Sequence, residues 1–397
     1  MTRPSCLAAL GLWLCGLAGV PAACAASPPA AASADSIVRH AAQAFMREQN
    51  VPGLAIALSI DGRHTFYTFG VASETTRQPV TRDTLFEIGS ISKTFTATLA
   101  AYAQATGKLS LRDPVERHLP ELAGSRFGAL PLFHLATHTA GGFPLQVPDD
   151  IADTAQLLRY LNAWQPRYAA GTRRTYANPS IGMLGVIAAR SLRMPFEPAA
   201  QALYARLGLH DTYLAVPAAA QARYAQGYNR QDAPVRLNPG VLADEAYGVK
   251  TSTRDLLHFV DLNLGSPRAA PPLDRAIAAT HTGYFKVGRM TQGLVWEQYA
   301  YPATLDTLLR GNAPAMALQD QPAVALDPPL PARRDVLVNK TGATNGFGAY
   351  VAFIPARRIG LVILANKSHP NDARVRLAWR ILEAVAPPAQ PGPAAAH

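Results

Sequence analysis

Cysteine is almost missing from this chain: of 397 residues, Cys6, Cys15 and Cys24 are the three thiols, and all fall before Ala26. Met1–Ala26 holds one charge, Arg3, then an apolar run from Leu7 to Val20 and the small-residue end Ala23-Cys24-Ala25. That is the grammar of a cleavable secretory leader. The chain beyond the leader therefore has no disulfide, no thiolate metal site and no cysteine nucleophile. Long apolar runs are equally scarce. Leu7–Val20 is shorter than the ~20 residues a membrane span needs, and no later stretch is long and apolar enough to cross. The expectation is export to the periplasm without stable membrane association. Blocks of like charge are missing too. Lys and Arg total 37 against 27 Asp and Glu, a formal charge of +10, but they are scattered. That excludes a nucleic-acid arm and fits solubility, or a mild attraction for anionic small molecules.

Without disulfides, the about 370 residues after the leader must rest on an ordinary hydrophobic core, and that length usually divides into two lobes. Residues 27–35 read as a flexible Pro/Ala remnant and 387–397 as a disordered Pro/Ala tail. Leu54–Ile60, the turn dipeptide Asp61-Gly62 and His64–Val71 form a hairpin signal,. Asp335–Lys340, Phe347–Ile354 and Ile359–Ala365 are three more strand-like runs. Helical patterns flank them at Ser36–Gln49 and Asp372–Val385. Strands at both ends around a long helical middle predict an α+β fold: one antiparallel sheet built from the two termini, with flanking helices. The expected lobes are 36–89 with 264–386 (sheet) and 90–263 (mainly helical, inserted). Strand–helix alternation is missing, which argues against a doubly wound parallel sheet.

Three short constellations carry chemistry. In Phe86-Glu-Ile-Gly-Ser90-Ile-Ser-Lys93, the apolar residues Phe95, Leu99 and Tyr102 recur at helical spacing, so a helix begins near Ser90. Residues three apart share a helix face, which sets the Lys93 amine beside the Ser90 hydroxyl and the Ser90 N–H among the unpaired amides of the first turn. A lysine can act as base only if its pKa falls well below ~10.4. The plain alternative is a helix cap with a solvated lysine. Two facts weigh against it: of fifteen serines only Ser90 has a lysine three residues on, and the chain uses 31 Arg but six Lys. Lys340-Thr341-Gly342-Ala343 ends a strand with a cation, a hydroxyl and a glycine that permits close approach; an ordinary strand-to-turn transition is the alternative. Tyr176-Ala177-Asn178 is the weakest signal, because Tyr160-Leu161-Asn162 matches it. Tyr160 sits in an amphipathic helix and reads as packing. Tyr176 lies in an irregular stretch, where neighbouring cations could recruit its phenol for proton transfer; Asn178 before Pro179 also fits a helix cap.

Ser-x-x-Lys, Tyr-x-Asn and Lys-Thr-Gly in this order resemble the class C serine β-lactamases, the periplasmic cephalosporinases. Leu135–Gln146, Glu245–Lys250 and Lys340–Pro355 look similar to that family as well, and the likeness runs from about Ser36 to Ala384. The resemblance implies a small β-lactam substrate, no cofactor, no metal and no obligate protein partner. It implies Ser90 as nucleophile, Lys93 and Tyr176 as proton carriers with the acylation base left open, and an oxyanion hole from the N–H groups of Ser90 and Ala343. It further implies Gln146 and Asn178 at the substrate's side-chain amide, and Tyr247 as an aromatic wall. Lys340, Thr341, Gly342, Asn371 and Arg374 would line the carboxylate end. Plain alternatives stand for the flanking residues: a cap for Asn371, a surface charge for Arg374, a loop polar group for Gln146. Ser368 departs from the asparagine common in the family. D,D-peptidases, carboxylesterases and non-catalytic β-lactam sensors share the fold. No Glu-Leu-Asn base pattern of the class A enzymes occurs. His134 and His138 lack the glutamate a zinc peptidase motif requires and read as structural.

Overall fold

The computed structural model describes residues 33–386 apart from residue 269. The expected leader 1–26 and the tail 387–397 lie outside the described residues. Of the expected flexible remnant 27–35, Ala34 and Asp35 already belong to the first helix, α1 (Ala34–Gln49). Asp35 explains the early start: it sits in the first turn, where a carboxylate is favourable, and accepts from Arg39 one turn on,.

The predicted hairpin is present as β1 (Gly53–Ile60) and β2 (Arg63–Gly70). From the other end come β7 (Val336–Ala343), β8 (Gly348–Ile354) and β9 (Ile359–Ala365). The early and late strands join directly, β1 pairing antiparallel with β9 from Leu54↔Ala365 to Ile60↔Ile359. Four strands between them leave no clear signal in the sequence: β3 (Gly283–Val287), β4 (Met290–Gln292), β5 (Glu297–Ala300) and β6 (Val324–Leu330). Three are too short to show a pattern, and β6 carries Pro328 and Pro329, which read as strand breakers. The sheet tolerates them because β6 is an edge strand, irregular between Ala325 and Leu330,. The order is β6-β3-β4-β5-β7-β8-β9-β1-β2, antiparallel throughout.

Both faces of the central strands are covered, which is why β9 reads Ile-Gly-Leu-Val-Ile-Leu-Ala without alternation. Leu54, Ile56, Leu361 and Ile363 pack under α1 and the last helix, α9 (Asn371–Val385), whose Val375, Ala378, Ile381 and Leu382 face inward. Ala55, Ala57, Val362 and Leu364 face the other way, toward a layer of helices. That layer contains α2 (Ser92–Ala105), α3 (Leu132–Thr137), α4 (Thr154–Ala163), α5 (Asn178–Ser191), α6 (Ala243–Ala246), α7 (Thr253–Leu264) and α8 (Pro271–Thr280). Among the described residues no helix is long and apolar enough to cross a membrane.

Candidate active site

Ser90 stands in a single turn of 3-10 helix, Gly89–Ile91, that runs straight into α2. The helix is almost wholly buried although it carries Ser92, Thr94, Thr96 and Thr98. Each hydroxyl has a backbone partner: Thr94 donates to Ile91 O, Thr98 to Thr94 O and Thr96 to Glu245 O, while Ser92 Oγ accepts from Val249 N–H. These bonds let a polar helix sit in a dry interior. Lys93, fully buried, donates to Ser90 Oγ at 3.0 Å and to Ala246 O at 2.9 Å. Burial pushes its pKa down to about 8; nearby Tyr176 opposes that shift and Lys340 assists it.

The Tyr176 ring lies among three cations. Lys93 Nζ, Lys340 Nζ and the Arg174 guanidinium are 5.1, 5.2 and 5.4 Å from its centroid. Burial alone would raise the phenol's pKa, but Lys340 and Lys93 together outweigh it and draw the value down to about 8, with help from the Ser90 hydroxyl. The Tyr176 hydroxyl completes no hydrogen bond of good geometry; such bonds are often loose before substrate arrives. Tyr160, the competing tyrosine, lies on α4 and packs against the core, and burial raises its pKa. The His138 ring lies tilted against Tyr176, centroids 4.3 Å apart. Its Nδ1 accepts from Ala177 N–H, and burial and the neighbouring cations hold it well below the ordinary imidazole pKa. His134 Nδ1 bonds Thr139 Oγ1 at 2.7 Å. Among the described residues no group of His, Cys, Asp and Glu is arranged to hold a metal.

Two glycines bring the end of β7 against the Ser90 turn. A methyl group on Gly342 would lie 1.9 Å from Ile88 O, and one on Gly89 (φ +50°) 2.3 Å from Ala343 O. No other residue allows that approach. It sets the Ala343 backbone beside Ser90 at the floor of a cleft of about 720 Å³. Ser90, Tyr176, Lys340 and Ala343 line it, as do Gln146, Asn178, Tyr247, Thr341, Gly342 and Asn371. Lys93 lies directly behind Ser90. Asn178 is not a helix cap: Ala177 occupies that position, and Asn178 Nδ2 donates to Gln146 Oε1 at 2.7 Å, so the two amides present one surface. Asn371 is no cap either; it donates to Asn312 O at 3.3 Å.

Arg374 does not line the cleft. It is neither a surface charge nor open to a ligand: it is buried, donating to Gly342 O, to Ala349 O at 3.2 Å and to His369 O at 2.7 Å. Its sequence position one turn into α9 points it under the strands, so it supports β7 from behind. Ser368 is likewise outside the lining, its N–H donating to Tyr228 O.

A family model for beta-lactamases matches residues 38–386. A beta-lactamase of Lysobacter lactamgenus is 52% identical over 357 residues, spanning 90% of this chain and 93% of that protein. One from Escherichia coli K12 is 43% identical over 88% of this chain and 93% of its own. A solved class C beta-lactamase in complex with cefoxitin superposes with a TM-score of 0.86 at 48% identity, covering 88% of this chain and 98% of that one. The chain belongs to the class C serine β-lactamases.

No local pattern in this β-lactamase announces the buried groups that hold its cations. Arg174, fully buried, donates to Glu297 Oε1 at 2.9 Å, to Gln292 Oε1 at 2.7 Å and to Met316 O at 2.6 Å. Lys340 Nζ is 3.9 Å from the same Glu297 carboxylate. Glu297 is thus the counter-charge for two of the three cations around Tyr176. Nothing in Trp296-Glu297-Gln298 marks it, because the pairing crosses 123 residues of chain. Glu87, in the two-residue strand Phe86–Glu87, belongs to the string around Ser90, yet its neighbours in that string assign it no role.

Proposed function

We propose that this serine β-lactamase opens the lactam ring by attack of Ser90 Oγ on its carbonyl carbon, with cephalosporins the favoured substrates. The observation that carries this is the 3.0 Å contact between Lys93 Nζ and Ser90 Oγ in a site where Lys93 and Tyr176 both have pKa values near 8. Either group, once deprotonated (Lys93 as the neutral amine, Tyr176 as the phenolate), can take the serine proton. The C–N bond breaks as Tyr176 passes the serine proton on to the lactam nitrogen. Water, activated by the same pair, then releases the acyl group. The Ser90 and Ala343 N–H groups face the developing oxyanion. Gln146 and Asn178 meet the substrate's side-chain amide, Tyr247 flanks it, and Lys340, Thr341 and Asn371 meet its carboxylate. Arg374 acts through β7, not by touching substrate.

The 1–26 leader supports export to the periplasm, and the layer of helices between β2 and β3 supports the two-lobe division. Two solved relatives carry a second activity in their names: a beta-lactamase/D-alanine carboxypeptidase of Pseudomonas syringae, 58% identical with a TM-score of 0.87, and a D-alanine carboxypeptidase of Burkholderia cenocepacia, 49% identical. One experiment separates the readings. Purified enzyme is offered a chromogenic cephalosporin, a D-alanyl-D-alanine peptide and a nitrophenyl ester. Sustained lactam turnover, with mass spectrometry finding the acyl group on Ser90 and no labelling of Ser90→Ala, is the expected result. A single stoichiometric burst, or turnover of peptide or ester alone, overturns it.

A further inference from the structure

We propose that the buried carboxylate of Glu87 is a positioning residue that registers both the oxyanion strand and one wall of the cleft to the nucleophile. Glu87 lies three residues before Ser90, and its short strand is paired with Lys250–Thr251. Three donors from distant parts of the chain converge on its two oxygens. Oε1 accepts from Tyr224 Oη–H at 2.6 Å and from Leu237 N–H at 2.8 Å; Oε2 accepts from Thr344 Oγ1–H at 2.5 Å. Thr344 directly follows Ala343, and Leu237 opens the wall formed by Leu237, Asn238, Gly240 and Val241. One side chain therefore ties the nucleophile turn to the end of β7 on one oxygen and to the Leu237–Val241 wall on the other.

The chemistry favours this role. A buried carboxylate is costly unless its lone pairs are filled, and hydrogen bonds to a charged acceptor are short and about twice as strong as neutral ones. Tyr224 is set in place by a second contact, the Arg236 guanidinium 4.1 Å from its ring centroid. The chain leading to the wall is also tied to the turn after β7, Tyr228 N–H donating to Gly346 O at 3.1 Å. Among the described residues the Thr344 hydroxyl has no hydrogen bond besides the one to Glu87, so that arm is the sensitive one. A displaced oxyanion donor weakens a charge that every substrate develops, whereas a displaced wall touches only substrates that reach it.

The inference rests on Ser90 and Ala343 acting as proposed above, and the test keeps the two apart. Thr344→Val removes one arm with little change of shape. It is expected to slow acylation of Ser90 by about 10-fold for penicillins and cephalosporins alike, a fraction of the ~10²–10³ lost with a donor itself. Affinity for a boronic acid, whose serine adduct places an oxygen in the same hole, falls in parallel. Tyr224→Phe is expected to leave acylation by a small penicillin unchanged and to alter the kcat/KM ratio of bulky to small cephalosporins several-fold. Glu87→Gln keeps a carbonyl for Tyr224 and Leu237 and turns its NH2 to Thr344 Oγ1, so it restores rates that Glu87→Ala loses. Acylation of Thr344→Val within twofold of the parent, with only its melting temperature lowered, overturns the inference; so does a Glu87→Gln enzyme as slow as Glu87→Ala. If Glu87→Ala does not fold, the Thr344→Val rate decides. A parent enzyme that is not labelled on Ser90 overturns the underlying reading as well.

Discussion

At the residue scale the site is governed by how few counter-charges accompany its cations. Lys93, Lys340 and Arg174 surround one phenol, and Glu297 lies beside only the last two. Lys93 is left with dipoles, the Ser90 hydroxyl and the Ala246 carbonyl, so the proton is easily lost. Replacing Lys340 by Met removes a charge that lowers both Lys93 and Tyr176. Both pKa values then rise, the deprotonated base becomes scarcer at neutral pH, and the acidic limb of kcat/KM moves up by roughly one pH unit. A pH–rate profile of that variant with an unmoved limb rules out this electrostatic account. Tyr176→Phe is expected to lower turnover by ~10²–10⁴-fold, while Tyr160→Phe, on the packed side of α4, stays near the parent. Steady-state kinetics with one cephalosporin compares the two.

At the scale of elements, the nucleophile's place depends on β7, β8 and β9 staying in register beneath α2. Leu361 in β9 is fully buried between the sheet and its outer helices. Leu361→Ala leaves a cavity and is expected to cost about 2–5 kcal/mol, read as a lower urea midpoint with unchanged slope. Because Leu361 faces α1 and α9, away from the cleft, kcat of the folded fraction is expected to hold. The same logic explains Arg374. A guanidinium buried under β7 and bonded to Gly342 O steadies the strand whose end forms the site, so its effect on catalysis runs through an element.

At the scale of the whole molecule, the fold is held without disulfides. Residues 27–397 contain no cysteine, so dithiothreitol is expected to leave the unfolding midpoint of that form unchanged. Two apolar layers, one on each face of a single sheet, provide the core instead. The early strand β1 and the late strand β9 are neighbours in the sheet, so the site joins distant parts of the chain: Ser90 follows β2, and Lys340 arrives with β7 some 250 residues later (the interval from Ser90 to Lys340).

The amino-acid sequence by itself determined what is local. The hairpin, the three C-terminal strands, the helix behind Ser90 and the Ser90–Lys93 contact follow from periodicity and from spacing along one helix face. The distinctive strings around Ser90, Tyr176 and Lys340 also carried the family. Tertiary structure alone decided what depends on distant chain segments meeting. It surrounded the ring of Tyr176 with cations, turned Asn178 from a cap into a partner of Gln146, and drew Arg374 beneath β7. It also supplied Glu297 and Glu87, buried carboxylates that no local pattern announces. The reason is physical: a hydrophobic period repeats within an element, whereas a buried charge is legible only once its partner, more than a hundred residues away, is in place.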